Sequence, residues 1–225
     1  MVKARSNRRS LCTTNGEAEP ARKARLAGLL CFQGVVLGLF EYISVLTSII
    51  IGLGMAHLLR GLAGLMQHPG RHKIYWVHLL WVGFMFFNMI FFWWWEFSLA
   101  TLDVWLFQNY LFIVAYAVVL YLMCALLFPT DLDDYTGFKD YFLSRRVWFF
   151  GLLGLITAID IYDTWLKGAE HFASLGVEYK VFTTFNILAA IVGAVSREHR
   201  VQAVIAVILF AYQIQWAFSH WGQQG

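Results

Sequence analysis

Charge is what this chain lacks. Only 14% of its 225 residues are Asp, Glu, Lys or Arg, and 60% are hydrophobic. Soluble domains carry roughly 25% charged residues and about 45–50% apolar ones. The deficit excludes an ordinary water-soluble domain. Cysteine is scarce too. Cys12, Cys31 and Cys124 show no CxxC and no Cys/His spacing. Neither a disulfide framework nor a structural zinc site can be read from them. Catalytic signatures are also missing. There is no GxSxG, P-loop, GxGxxG, HExxH, ExxH or histidine-box pattern. No helix is arginine-rich like a voltage sensor, and the last apolar run has no lysine to hold retinal. The polar stretch after the third apolar run is too small for a soluble catalytic domain. These absences argue against an enzyme, and the sequence implies no cofactor.

What is abundant is long apolar sequence. Mean hydropathy is +0.60 and 18% of residues are aromatic. Several runs exceed the roughly 18 near-uncharged residues that mark a spanning helix. A bilayer core offers no water to unpaired backbone groups, so such runs must be helices or closed barrels. Barrel strands would alternate in segments of about ten residues. These runs are longer and apolar on all sides. The expected fold is an all-α integral membrane protein, a six-helix transmembrane bundle in the cell membrane. Its spans fall near residues 40–62, 74–99, 104–128, 147–166, 179–195 and 201–221. The third stops at Pro129, which has no N–H to continue the ladder. The Ser196–Arg200 turn is short, so the last two helices should be antiparallel neighbours.

The chain divides into a basic tail, residues 1–25, and a single polytopic membrane domain, residues 26–225. The tail has the composition of a disordered segment. Nothing aromatic accompanies its charge, so nucleic-acid binding is not expected. Leu26 to Phe40 is a short extra apolar segment. Joined to the first span, it is too long for one upright crossing and too short for two. Three readings fit it: an extra span, a cleaved leader, or a stretch upstream of the true start.

Orientation follows from Lys and Arg in short loops. The turns after the first, third and fifth spans hold Arg60, Arg71, Lys73, Lys139, Arg145, Arg146, Arg197 and Arg200. The opposite ends hold only Lys167 and Lys180. The three basic turns are therefore expected in the cytoplasm, with both ends of the six-helix core outside. The basic tail argues the other way unless Leu26–Phe40 crosses, is cleaved or is not made.

The first hairpin, Phe40 to Leu99, is nearly mirror-symmetric about its basic turn: His57 matches His78 in depth, and Glu41 matches Glu96. An internal repeat is also hinted at. Glu41-Tyr42 with Thr47 parallels Glu178-Tyr179 with Thr183, and Trp95-Glu96-Phe97-Ser98 parallels Trp216-Ala217-Phe218-Ser219. Short matches of this kind also arise by chance in biased composition.

Acids and aromatics collect at the outer end. Glu41, Glu96, Asp103, Asp160, Asp163, Glu170 and Glu178 fall there, with Trp93, Trp94, Trp95, Trp105, Trp165, Trp216, Trp221, Tyr42, Tyr162 and Tyr179. An acidic mouth concentrates cations, and aromatic faces attract them further. The same residues also suit an ordinary interfacial belt. Asp160 and Asp163 are the sharper pair. They are three apart, hence on one helical face, and Asp160 lies more than three turns into the fourth span. A charge inside the hydrocarbon costs about 2.5–3.5 kcal/mol on insertion scales, so it should face the bundle or a wet cavity. Glu41 and Glu96 could approach each other if the first hairpin closes. His57 and His78 on adjacent helices could ligate a metal or haem, with His68 and His72 nearby. Gly52, Gly54 and Ala56 form a small-residue patch suited to close helix packing. Asn88, Asn186, Gln213 and Gln215 are intramembrane amides, which typically join helices. Gln213 and Gln215 point to different faces, so at most one serves a given interface.

The leading expectation is a small permease or channel-like protein for a cation or a proton-coupled solute. Asp160, Asp163, Glu96 and Glu41 would supply carboxylates, and Trp95 and Tyr162 part of the wall. The alternatives are a non-catalytic scaffold or subunit of a larger complex, and a metal or haem protein using His57 and His78. Expected partners are the lipid bilayer, a small cation or solute, and another copy or partner subunit.

Overall fold

The computed structural model describes the backbone of residues 18–68, 70, 71, 73–96, 107–166 and 176–220. Within these it describes the side chains of 41–68, 70, 71, 73–92, 107–162, 164, 177 and 179–218. The described residues form six helices and no strand. They are α1 (Ala18–Gln67), α2 (Trp76–Glu96), α3 (Phe107–Leu127), α4 (Phe138–Leu166), α5 (Gly176–Val195) and α6 (His199–His220).

Four segments are long and apolar enough to cross a membrane: Glu41–Gln67, Phe107–Leu127, Phe138–Tyr162 and His199–Phe218. Two shorter apolar segments, Trp76–Phe92 and Tyr179–Val195, belong to α2 and α5. The described residues are therefore all-helical, and four of the helices have the length and composition to cross a membrane.

Helix limits depart from expectation in two places. α1 runs unbroken from Ala18, within the stretch expected as a tail, through Leu26–Phe40 to Gln67. At 1.5 Å per residue it is on the order of 75 Å long. No turn separates Leu26–Phe40 from the first span, so the segment does not fold back as a crossing of its own. α4 begins at Phe138 rather than Val147. The physical reasons are a local cap and a contact with the connection before α2. Asp140 lies in its first turn, where the helix dipole favours an acid. Its carboxylate accepts from the Thr136 N–H at 3.3 Å, close to a capping box. Gly137 has φ +149°, and a Cβ there would sit 3.1 Å from Lys73 Cβ and 3.2 Å from its carbonyl oxygen. That close approach lets the Phe138 N–H donate to the Lys73 carbonyl at 3.3 Å.

The tightest pairs are α4 with α5 and α1 with α3. α2 packs against α1, α3, α4 and α6, and is the inner helix of the bundle. Its enclosed face reads Val77, Trp81, Met85, Met89 and Phe92, the spacing of one helical stripe. Trp81 meets the rings of Phe149 and Phe150 edge-on at 4.9 and 5.4 Å. On α3 the enclosed stripe is Ile113, Tyr116, Ala117, Leu120, Met123, Cys124 and Leu127.

Glycines seat large side chains where helices cross. A Cβ at Gly61 would lie 2.2 Å from the Phe128 ring, and one at Gly193 2.4 Å from the Phe150 ring. Gly54 meets Met89 and Cys124, whereas Gly52 has nothing within 4 Å. The small-residue patch on α1 is thus split between an inner and an outer face.

Two of the four amides, Gln213 and Asn88, join helices. With its amide nitrogen toward α2, Gln213 donates to Phe84 O at 3.2 Å and accepts from Asn88 Nδ2 at 2.9 Å. Gln215 faces outward, as the spacing requires. Asn186 instead donates to Phe182 O on its own helix at 3.0 Å.

The three basic connections meet at one end. Besides the Lys73–Phe138 contact, Tyr75 and His199 share a 2.9 Å hydrogen bond between the starts of α2 and α6. Gln202 in α6, fully enclosed, donates to Gly193 O at 2.9 Å and Ser196 O at 2.8 Å. It thereby caps the end of α5.

Candidate functional site

At the acidic end, the seam between α4 and α5 holds Asp160. Tyr179, in the first turn of α5, donates its hydroxyl to Asp160 Oδ2 at 3.0 Å. The same hydroxyl shares a 3.1 Å hydrogen bond with Thr164 Oγ1. Thr164 follows Asp160 by four residues, so both lie on one face of α4. Thr164 is buried and Asp160 half-buried. Because α4 ends at Leu166, Asp160 has less than two turns of helix beyond it. It therefore stands near that end of the bundle.

The other expected members are less closely gathered. Tyr162 is 49% exposed and turns toward α3, its ring 5.4 Å from Phe112. Glu41 is exposed. The side chains of Glu96, Asp163 and Trp95 lie outside the described residues, and so does any approach of Glu41 to Glu96. Tyr42 is 72% exposed while Tyr179 sits inside the seam, so the two tyrosines of the suspected repeat differ in environment.

At the basic end, His57 and His78 do converge, on the last carbonyls of α3. His78 Nε2 lies 2.6 Å from Leu127 O, and His57 Nε2 lies 2.8 Å from Phe128 O. The Tyr141 hydroxyl donates to the preceding carbonyl, Leu126 O, at 2.9 Å. A helix leaves its last carbonyls without intrahelical partners, and Pro129 brings no N–H to relieve them. Three side chains from α1, α2 and α4 do so instead. A nitrogen facing a carbonyl oxygen must carry the proton, so neither Nε2 offers a metal its lone pair. His78 is held further by the Phe138 ring, stacked at 4.9 Å, and by Phe128 edge-on at 5.0 Å. Among the described residues no group of three or more His, Cys, Asp or Glu side chains is placed to hold a metal.

No family model, curated protein or solved structure matches the chain.

The functional reading therefore rests on the chemistry of the two ends. The basic end is built for rigidity: its hydrogen bonds close helix termini and join connections. Tyr75, which precedes α2, is part of that closure, and burial pushes its phenol up to about 12. The acidic end holds a carboxylate at a helix–helix seam, beside hydroxyls that can reorient. Such a group can accept a cation or a proton.

Sequence reasoning missed Tyr141, Gln202 and Thr164 as partners. Thr164 was within reach, because its i+4 relation to Asp160 is a local signal. Tyr141 and Gln202 were not, because each serves a carbonyl on a different helix.

Proposed function

We propose that the protein is a small multi-pass membrane permease for a cation or a proton-coupled solute, with Asp160 as its coupling carboxylate. In this reading all six helices cross a cell membrane. The full lengths of α2 and α5, 21 and 20 residues, support it, since about 20 helical residues match the hydrocarbon thickness. The three basic connections then face the cytoplasm and the Asp160 end faces outward.

The observation that carries the proposal is the Tyr179–Asp160 hydrogen bond across the α4–α5 seam. A carboxylate at a helix seam is able to exchange a hydroxyl donor for a cation, or to take up a proton. The Tyr179 hydroxyl has a second partner in Thr164, so it can release Asp160 without being left unsatisfied. Ion and proton flux into proteoliposomes tests this. Wild type is expected to carry flux that Asp160→Asn abolishes and Tyr179→Phe reduces. Flux that survives both substitutions unchanged would sink the assignment.

A scaffold reading has its own support. Many inner polar side chains are spent on their own helix or on helix ends: Thr47 on Ile43 O, Thr157 on Leu153 O, Asn186 on Phe182 O, and His57, His78, Tyr141 and Gln202 on carbonyl caps. That pattern suits a rigid non-catalytic subunit. It predicts that Asp160→Asn leaves the cellular phenotype intact and that the protein travels with a stable partner complex in mild detergent.

A further inference from the structure

We propose that Arg146 anchors a phosphate-bearing anion at the basic end of the bundle, where α2, α4, α5 and α6 meet. Arg146 is only 9% exposed. Among the described residues its one hydrogen bond runs from Nη1 to Leu143 O, on its own helix, at 2.8 Å. Its Nε is buried and meets no acceptor. An enclosed guanidinium needs a counter-charge and acceptors for its fork of donors, and among the described residues Arg146 is given the single Leu143 carbonyl and no carboxylate.

The surroundings give its depth. Arg146 is four residues from both Phe142 and Phe150, so the three share a face of α4. The Phe142 ring lies 6.4 Å from both Tyr75 and His78, at the start of α2. The Phe150 ring sits under Gly193, near the end of α5. Arg146 is thus level with the outermost turns of its neighbours, the depth of lipid headgroups rather than of acyl chains. Arg145, Arg197 and Arg200 stand exposed at the same end and add to the positive field.

A second observation points to the same end. Among the described residues, the buried polar atoms left without a partner are His78 Nδ1, Trp81 Nε1, Arg146 Nε and Gln202 Oε1. All four lie within about two turns of the basic helix ends. Buried polar groups are nearly always satisfied, so orphans gathered at one end mark a level where something else binds. Arg recognises phosphate oxygens through its planar fork. Two sources share that chemistry: the headgroup of an anionic phospholipid and a free phosphate anion.

Thermal unfolding of the full chain in mild detergent separates them. The arms are phosphatidylglycerol, phosphatidylcholine, inorganic phosphate and chloride at matched ionic strength. Stabilisation by phosphatidylglycerol but not phosphatidylcholine assigns the site to a lipid, and stabilisation by inorganic phosphate over chloride assigns it to a free anion. Arg146→Gln is expected to remove the shift, and Arg145→Gln to keep it. Should Arg146→Gln fail to fold, Arg146→Lys keeps the charge and loses the fork. It is expected to raise the half-saturating concentration about tenfold. Wild type that responds to neither phosphate source overturns the proposal. So does a full response in Arg146→Lys or Arg146→Gln.

Discussion

His57 and His78 look alike in the sequence and differ in what they protect. Each closes one of two consecutive carbonyls, but His78 is enclosed and His57 half-buried. Removing His78 leaves Leu127 O with no partner away from water. That should cost about 1–3 kcal/mol, whereas Phe128 O can recruit a replacement. We expect His78→Ala to lower the unfolding temperature clearly more than His57→Ala. His78→Gln, which still carries a donor, should recover part of the loss. Equal damage from His78→Gln and His78→Ala would show that ring packing against Phe138, not the cap, is what matters.

Between helices, glycine decides how closely two elements meet. In lipid, apolar side chains gain little from association itself, so fit carries more of the stability. Gly61 and Gly193 each lie under a phenylalanine ring with no room for a methyl group. Gly52 and Gly64 have nothing within 4 Å. Gly193→Ala or Gly61→Ala is expected to destabilise by about 1–3 kcal/mol through overpacking. Gly52→Ala and Gly64→Ala should be neutral or slightly stabilising, since alanine favours the helix by about 0.5–1 kcal/mol. Chemical denaturation of the four variants in one detergent checks the contrast. A flat series would mean that the Phe128 and Phe150 rings move aside freely.

Across the whole molecule, the three basic connections behave as one plate. The Tyr75–His199 and Lys73–Phe138 hydrogen bonds tie the first to the third and the first to the second. Tyr75 also gives the plate a pH limit. Its phenol is held at about 12 instead of 10 by burial, so the folded protein binds that proton more tightly than the unfolded chain does. The contribution is complete below pH 10 and is lost as pH rises from 10 to 12. Ultraviolet titration of phenolate should show one fewer late-ionising group in Tyr75→Phe than in wild type. Stability of the variant should fall less steeply than wild type over that window.

The long apolar runs, the helical content and the basic end were legible in the sequence because each is a one-dimensional property. Length, hydropathy and loop charge need no knowledge of neighbours. The end of α3 at Pro129 and the split between Gln213 and Gln215 were legible for the same reason: both follow from local geometry. The tertiary structure alone decided which groups meet. Helices that are apolar all round carry no stripe to set their rotation. The facing of His57 and His78 onto α3, of Asp160 onto Tyr179 and of Arg146 into its corner is therefore settled by packing. Even the start of α4 depended on a distant contact. Lys73 and Gly137 meet at the start of α4 and begin that helix at Phe138, nine residues before the hydropathy pattern would start it.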